Sequence, residues 1–189
     1  MTGLHPATCQ CCGTPLAADH LAWRYPVPDV IAKLSERDRA RRIETATEAV
    51  LVADGLGAFF RALLPIRMDT GRSATLGVWL KIGDAETFYR VMDAGRAGGE
   101  AWASLSFEGN LANAVEPWPE VYRAAATAAV PAQETLPGGA ADESLAVPRI
   151  VRSDHPQLSR LLTEQWPQAQ FLESRSPTAQ GGRPGAEAS

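Results

Sequence analysis

A chain of 189 residues, 45% hydrophobic and 21% charged, is long enough to bury one core without staples and too poorly charged to stay unfolded. Its 18 Lys and Arg stand against 22 Asp and Glu, and this formal charge of −4 excludes a basic field that would gather nucleic acid. The most apolar stretch, LGAFFRALLPI at 56–66, carries Arg61 and falls well short of the ~20 residues of a membrane span, so no membrane partner is expected.

Residues 1–20 hold Gly3, Pro6, Gly13 and Pro15 but little apolar periodicity, and they read as a loop or knuckle ahead of the folded domain. No Lys or Arg and no apolar run of signal length occurs there, so a standard secretory signal is not expected. All three cysteines lie in the segment CQCCG at 9–13, an odd number set too close together for a disulfide framework. A reducing, cytoplasmic compartment follows. Cys9 and Cys12 have the C-x-x-C spacing that lets two thiolates face one zinc ion, and Gly13 supplies the permissive backbone such a turn uses. His20 is the best placed third ligand, ahead of Cys11, His5 and His155, and a structural zinc is the one cofactor expected. Reduced thiols without metal are the alternative; a redox pair is disfavoured because no strand precedes Cys9 and Pro15 interrupts any helix after it.

The folded domain is expected over 21–172. HLAWRYPVP alternates Leu21, Trp23 and Tyr25 against Ala22 and Arg24, the period of a half-buried strand ended by Pro26 and Pro28. A short helix fits from Asp29 to about Leu34, and SERDRARRIETA continues as an exposed helix capped by Ser35, with Asp38 three positions on. EAVLVAD and AFFRALLPI read as two strands joined at Gly55 and Gly57. On the second, Phe59, Arg61 and Leu63 share a face, so Arg61 is expected in an ion pair at a sheet edge, or else as a ligand-binding residue.

TLGVWLKI at 75–82 is a third strand. The segment DAETFYRVMDAG then places Phe88, Val91 and Met92 at helical spacing between an Asp84 cap and a stop at Gly95. AWASLSFEG at 101–109 alternates as a strand, NLANAVEPWPE reads as a loop, and VYRAAATAAV fits an Ala-rich helix or a strand and is read as strand. After a turn-rich connection at 131–144 come a short strand in LAVPRIVRS and a helix in DHPQLSRLLTEQW. Ser153 or Asp154 would cap that helix, with Leu158, Leu161 and Leu162 on one face. Residues 173–189 are Ser, Pro, Gly and Ala with few apolar side chains, the composition of a disordered tail. Five to seven strands with two or three helices, not in regular alternation, predict a single α+β domain on a mainly antiparallel sheet.

Several chemistries have no signature here: no phosphate loop, no third glycine after GLG at 55–57, no G-x-S-x-G and no H-E-x-x-H. His155 alone is placed like a catalytic base, and its setting in SDHPQL also fits a helix start with Pro156 in the first turn. The segment EGNLANAVEPW gathers Glu108, Asn110, Asn113, Glu116 and Trp118, whose amides, carboxylates and aromatic ring suit a binding surface or an ordinary capped loop.

In order along the chain, CQCCG, FFRALLPI, LGVWLKI and a late DHP resemble the uncharacterised bacterial family known as domain of unknown function 2199, over about residues 9–165. The resemblance implies that Cys9, Cys12, Gly13, Arg61, Gly77, Trp79 and His155 are typical of the family. It implies no activity, because the family has none established. The expected function is a non-enzymatic cytoplasmic binding or regulatory protein that holds a protein partner, a toxin being one concrete case, through Arg61, Glu108, Asn110, Asn113, Trp118 and His155. Two alternatives stand beside it. One is a small hydrolase with His155, Arg61 and a carboxylate such as Glu108 or Glu116 converging in a cleft. The other is a zinc-stabilised regulator.

Overall fold

The computed structural model describes residues 20–131 and 147–173. The knuckle at 1–19, the turn-rich connection at 132–146 and the tail at 174–189 lie outside the described residues.

Two long strands organise the rest. β4 (Gly57–Met68) and β5 (Ser73–Ile82) pair antiparallel from Ala58 opposite Ile82 to Arg67 opposite Ser73. Their even-numbered side chains, Phe60, Ala62, Leu64, Ile66 and Met68 with Leu76, Val78 and Leu80, all enter the main core, as the period of two requires. Both strands are buried on their second face too: Phe59 and Trp79 join a smaller core with Ile31, Leu51, Ala53 and Ala112.

β6 (Ser106–Leu111), β7 (Ala125–Ala129) and β8 (Arg149–Arg152) follow β5 as successive antiparallel neighbours. Four antiparallel steps leave β8 running in the direction of β4, so the pair that closes the ring has to be parallel. It is: Leu63 lies opposite Arg149, and the Leu63 N–H donates to the Pro148 carbonyl at 2.8 Å. The result is a five-stranded barrel in which Phe60 and Phe107 meet edge to face at 5.9 Å.

The remaining strands extend the two long ones beyond the barrel. β1 (His20–Arg24) runs parallel along the first half of β5, and β3 (Val50–Ala53) runs antiparallel on the start of β4. β2 (Ile43–Ala46) lies outside β3, while β9 (Gln165–Trp166) pairs parallel with the end of β4. Among the described residues the helices are α1 (Asp29–Ala32), α2 (Glu36–Arg42), α3 (Ala85–Ala97), α4 (Gly99–Ala103), α5 (Pro156–Thr163) and α6 (Gln168–Glu173). Three of them, α2, α3 and α5, have seven residues or more.

The single α+β domain stands, but its sheet is mixed, with β1, β8 and β9 in parallel pairings. Ser35 caps α2 by accepting from the Asp38 N–H, and Gly55 at φ 69° turns the chain from β3 to β4, both as expected. Other local expectations fail. IETA at 43–46 leaves the helix, because β-branched Ile43 and Thr45 find strand partners in Ala53 and Val52. Gly95 does not end α3: Gly98, at φ 64°, does, and Gly95 lies inside the helix beside the Trp102 ring. Residues 101–103 finish α4 rather than begin a strand. His155, not Ser153 or Asp154, caps α5, its Nδ1 accepting from the Leu158 N–H at 3.4 Å.

Candidate functional site

The candidate residues fall into two groups, those spent on the fold and those left on its surface. Arg61 belongs to the first. Only 5% exposed, it lies on the central strand β4, and among the described residues it makes no ion pair, Glu48 pairing with Arg24 instead. Its Nε donates to the Glu48 carbonyl at 2.6 Å, Nη1 to Tyr25 at 3.1 Å and Nη2 to Pro26 at 3.4 Å, while the guanidinium lies 4.3 Å from the Trp79 ring centre. Burial, helped by the nearby charge of Arg24 and opposed by Glu48, pushes its pKa down to about 10. The charge therefore persists at neutral pH, and it ties the ends of β1 and the approach to β3 onto the β4–β5 pair.

Asn113 is fully buried and does similar work on the edge of β5. There, Ala112 of the β6 side donates to the Trp79 carbonyl at 2.7 Å, and Tyr25 of the β1 side donates to the Gly77 carbonyl at 2.8 Å. Between these two neighbours the Trp79 N–H would have no backbone acceptor. The side-chain oxygen of Asn113 takes it at 2.9 Å, while its NH2 donates to Val27 and to Asp29 Oδ1. Trp118, 3% exposed, packs edge to face against Trp166 at 5.0 Å. Neither Asn113 nor Trp118 is on a surface that could hold a partner.

His155 is half-buried as a helix cap, with its own N–H donating to Ser153 Oγ at 3.1 Å. Its contacts and those of Arg61 have no residue in common, so the structure does not assemble the arginine, histidine and carboxylate of the hydrolase alternative into one cleft. Glu116 is exposed on the connection between β6 and β7.

Glu108 and Asn110 are on strand β6, not in a loop. With Ser106 they point away from the barrel interior that holds Phe107 and Leu111. Glu108 sits where two adjoining depressions meet. One, of about 360 Å³, is lined by Asp84, Thr87, Arg90 and Ser106 together with Glu108 and Thr127. The other, of about 130 Å³, runs from the same Glu108 and Thr127 to Arg152, Ser153 and Asp154. Together they form an open polar trench over the outer face of β6 and β7, from the first turn of α3 to the end of β8.

Most of the lining is already committed. Asp84 caps α3, accepting from the Thr87 N–H at 2.7 Å, and that backbone bond holds its carboxyl below the ordinary carboxylate range. Arg90 donates to the Ser106 carbonyl at 2.7 Å, Arg152 pairs with Asp154 at 3.2 Å, and Ser153 donates to the Ala125 carbonyl at 2.5 Å. The side chains of Glu108 and Thr127, directly opposite in the β6–β7 register, have no hydrogen bond or ion pair among the described residues. Sequence reading found Glu108 but missed the rest of the trench, since no spacing in the chain announces that α3 and β8 flank β6. The outward alternation of Ser106, Glu108 and Asn110 was the one available signal.

Of the expected zinc ligands, Cys9 and Cys12 lie outside the described residues, and His20 opens β1. Among the described residues no three His, Cys, Asp or Glu side chains are grouped to hold a metal ion, and no helix is long and apolar enough to cross a membrane.

No curated protein and no solved structure matches the chain. A family described as an uncharacterized protein conserved in bacteria matches residues 8–137, a span that includes Cys9 and Cys12 and runs through β7, with His155 beyond it. The chain belongs to this bacterial family, domain of unknown function 2199.

Proposed function

We propose that the chain is a cytoplasmic binding module that holds a protein partner in the trench across β6–β8. The observation that carries this reading is the split in commitments. Arg61, Asn113, Trp118 and His155 serve the fold, whereas Glu108 and Thr127 stand together in an open polar depression with their hydrogen-bonding capacity unused. Polar groups presented on a rigid strand are positioned at no further conformational cost when a partner arrives. A toxin neutralised by being held there is one such partner.

Photo-crosslinking tests the reading in bacterial cells. A photoreactive residue in place of Thr87 or Arg152 should trap the same protein, and one in place of Arg37 on the exposed helix α2 should not. No adduct at either trench position, or the same adduct from Arg37, would overturn it.

A further inference from the structure

We infer that the trench receives a Lys or Arg side chain from an extended segment of the partner, with the Glu108 carboxylate and the Thr127 hydroxyl as its acceptors; this rests on the binding reading above. Three carboxylates and two guanidiniums line the trench, leaving one net negative charge. Each guanidinium spends one N–H group on the protein, Arg90 Nη1 on the Ser106 carbonyl and Arg152 Nη2 on Asp154, and keeps others for the carbonyls of a segment passing over it. Asp84 is held by its cap and Asp154 by Arg152. The hydroxyl of Ser106 donates to the Ala128 carbonyl, and that of Ser153 to Ala125.

The lining side chains with no partner at all are one carboxylate and one hydroxyl, on directly opposed residues of β6 and β7 whose Cβ atoms stand about 5 Å apart in such a pair. A carboxylate can only accept at neutral pH, so the complementary group is a donor. An ammonium or guanidinium supplies several donors and a compensating charge. An anionic or purely accepting ligand would meet Glu108 with nothing to offer it.

Shape selects a chain segment over a small molecule. Small-molecule sites enclose most of their ligand, whereas this depression is open along its length and continues past Glu108 in both directions. A segment running along it would set one basic side chain at the junction, and the overall charge of −4 would favour its approach.

The test uses the full chain labelled with 15N and two probes, acetylated hexalysine amide and spermidine. Hexalysine should shift the amides of Ser106, Glu108, Thr127 and Arg152 at low salt. Its affinity should fall at least fivefold in Glu108→Gln, a variant expected to melt like the parent because Glu108 has no partner to lose. Shifts spread evenly over the acidic surface, or equal affinity in Glu108→Gln, would overturn the inference. Spermidine binding as tightly at the same amides would replace the peptide segment with a small polycation, and would equally overturn it. Crosslinking at Arg152 reads partner binding while leaving both acceptors, Glu108 and Thr127, in place. Adducts there beside a hexalysine result unaffected by Glu108→Gln would sink the cation inference and leave the binding module standing.

Discussion

At the scale of single residues, the polar side chains that stand out in the sequence turn out to hold backbone together. Arg61 was legible as an anomaly, a cation among Phe59, Phe60, Ala62 and Leu63, yet its partners could not be read. They are carbonyls of residues 25, 26 and 48, brought near only by the pairing of β1 and β3 with the central strands. Asn113 is the same case, since a need for an acceptor at the Trp79 N–H exists only once β6 and β1 have taken their places along β5. Replacing Arg61 by Met should lower unfolding stability by about 2–4 kcal/mol, because three carbonyls lose a charged donor inside the protein. Arg61→Lys should recover only part, since an ammonium reaches fewer of these acceptors and does not stack on Trp79. Denaturant titration of both variants checks this. A Met variant as stable as the parent would remove Arg61 from the framework and reopen a ligand-binding role.

At the scale of elements, strand existence was well signalled and helix ends were not. β4 and β5 announce themselves by long apolar runs, and their burial on both faces explains why alternation is hard to see in GAFFRALLPIRM. RIETA and AWAS satisfy helix and strand patterns about equally. Tertiary pairing decides the first, and the positive φ angles of Gly98 and Gly99 decide the second. The closure of the barrel depends on a contact no pattern reveals. β5 and β6 share only the pairs Leu80–Leu111 and Lys81–Asn110, and there Gly109 presses against β5: a Cβ on it would lie 3.0 Å from the Lys81 carbonyl oxygen and 3.1 Å from the Leu80 Cβ. Gly109→Ala should therefore cost about 1–3 kcal/mol through forced separation of the strands, measured by chemical denaturation. A loss below about 0.5 kcal/mol would show that the strands part without strain.

At the scale of the whole molecule, length was enough for the single domain, the irregular order of strands and helices for its α+β class, and the family follows from the ordered segments it shares. Barrel closure was not legible, because it depends on β8 returning to β4 across more than eighty residues of chain, and no local pattern encodes so distant a pairing. The same holds for the trench, assembled from residues 84–90, 106–108, 125–127 and 152–154. The zinc expected at Cys9, Cys12 and His20 belongs to this scale as well. On that expectation purified protein carries one equivalent of zinc, and the double substitution Cys9→Ser, Cys12→Ser loses both the metal and part of the thermal stability. Metal-free parent protein with the same melting temperature as the double variant would strike zinc from the account.

The central claim is that function resides in the trench and not in the buried arginine or the helix-capping histidine. Its most direct test compares the crosslinked adduct formed from residue 152 in the parent background and in Glu108→Arg, with melting curves for both. The account predicts that the adduct disappears while the melting temperature holds, since Glu108 contributes to recognition and not to the fold. An adduct undiminished by the reversed charge would contradict it.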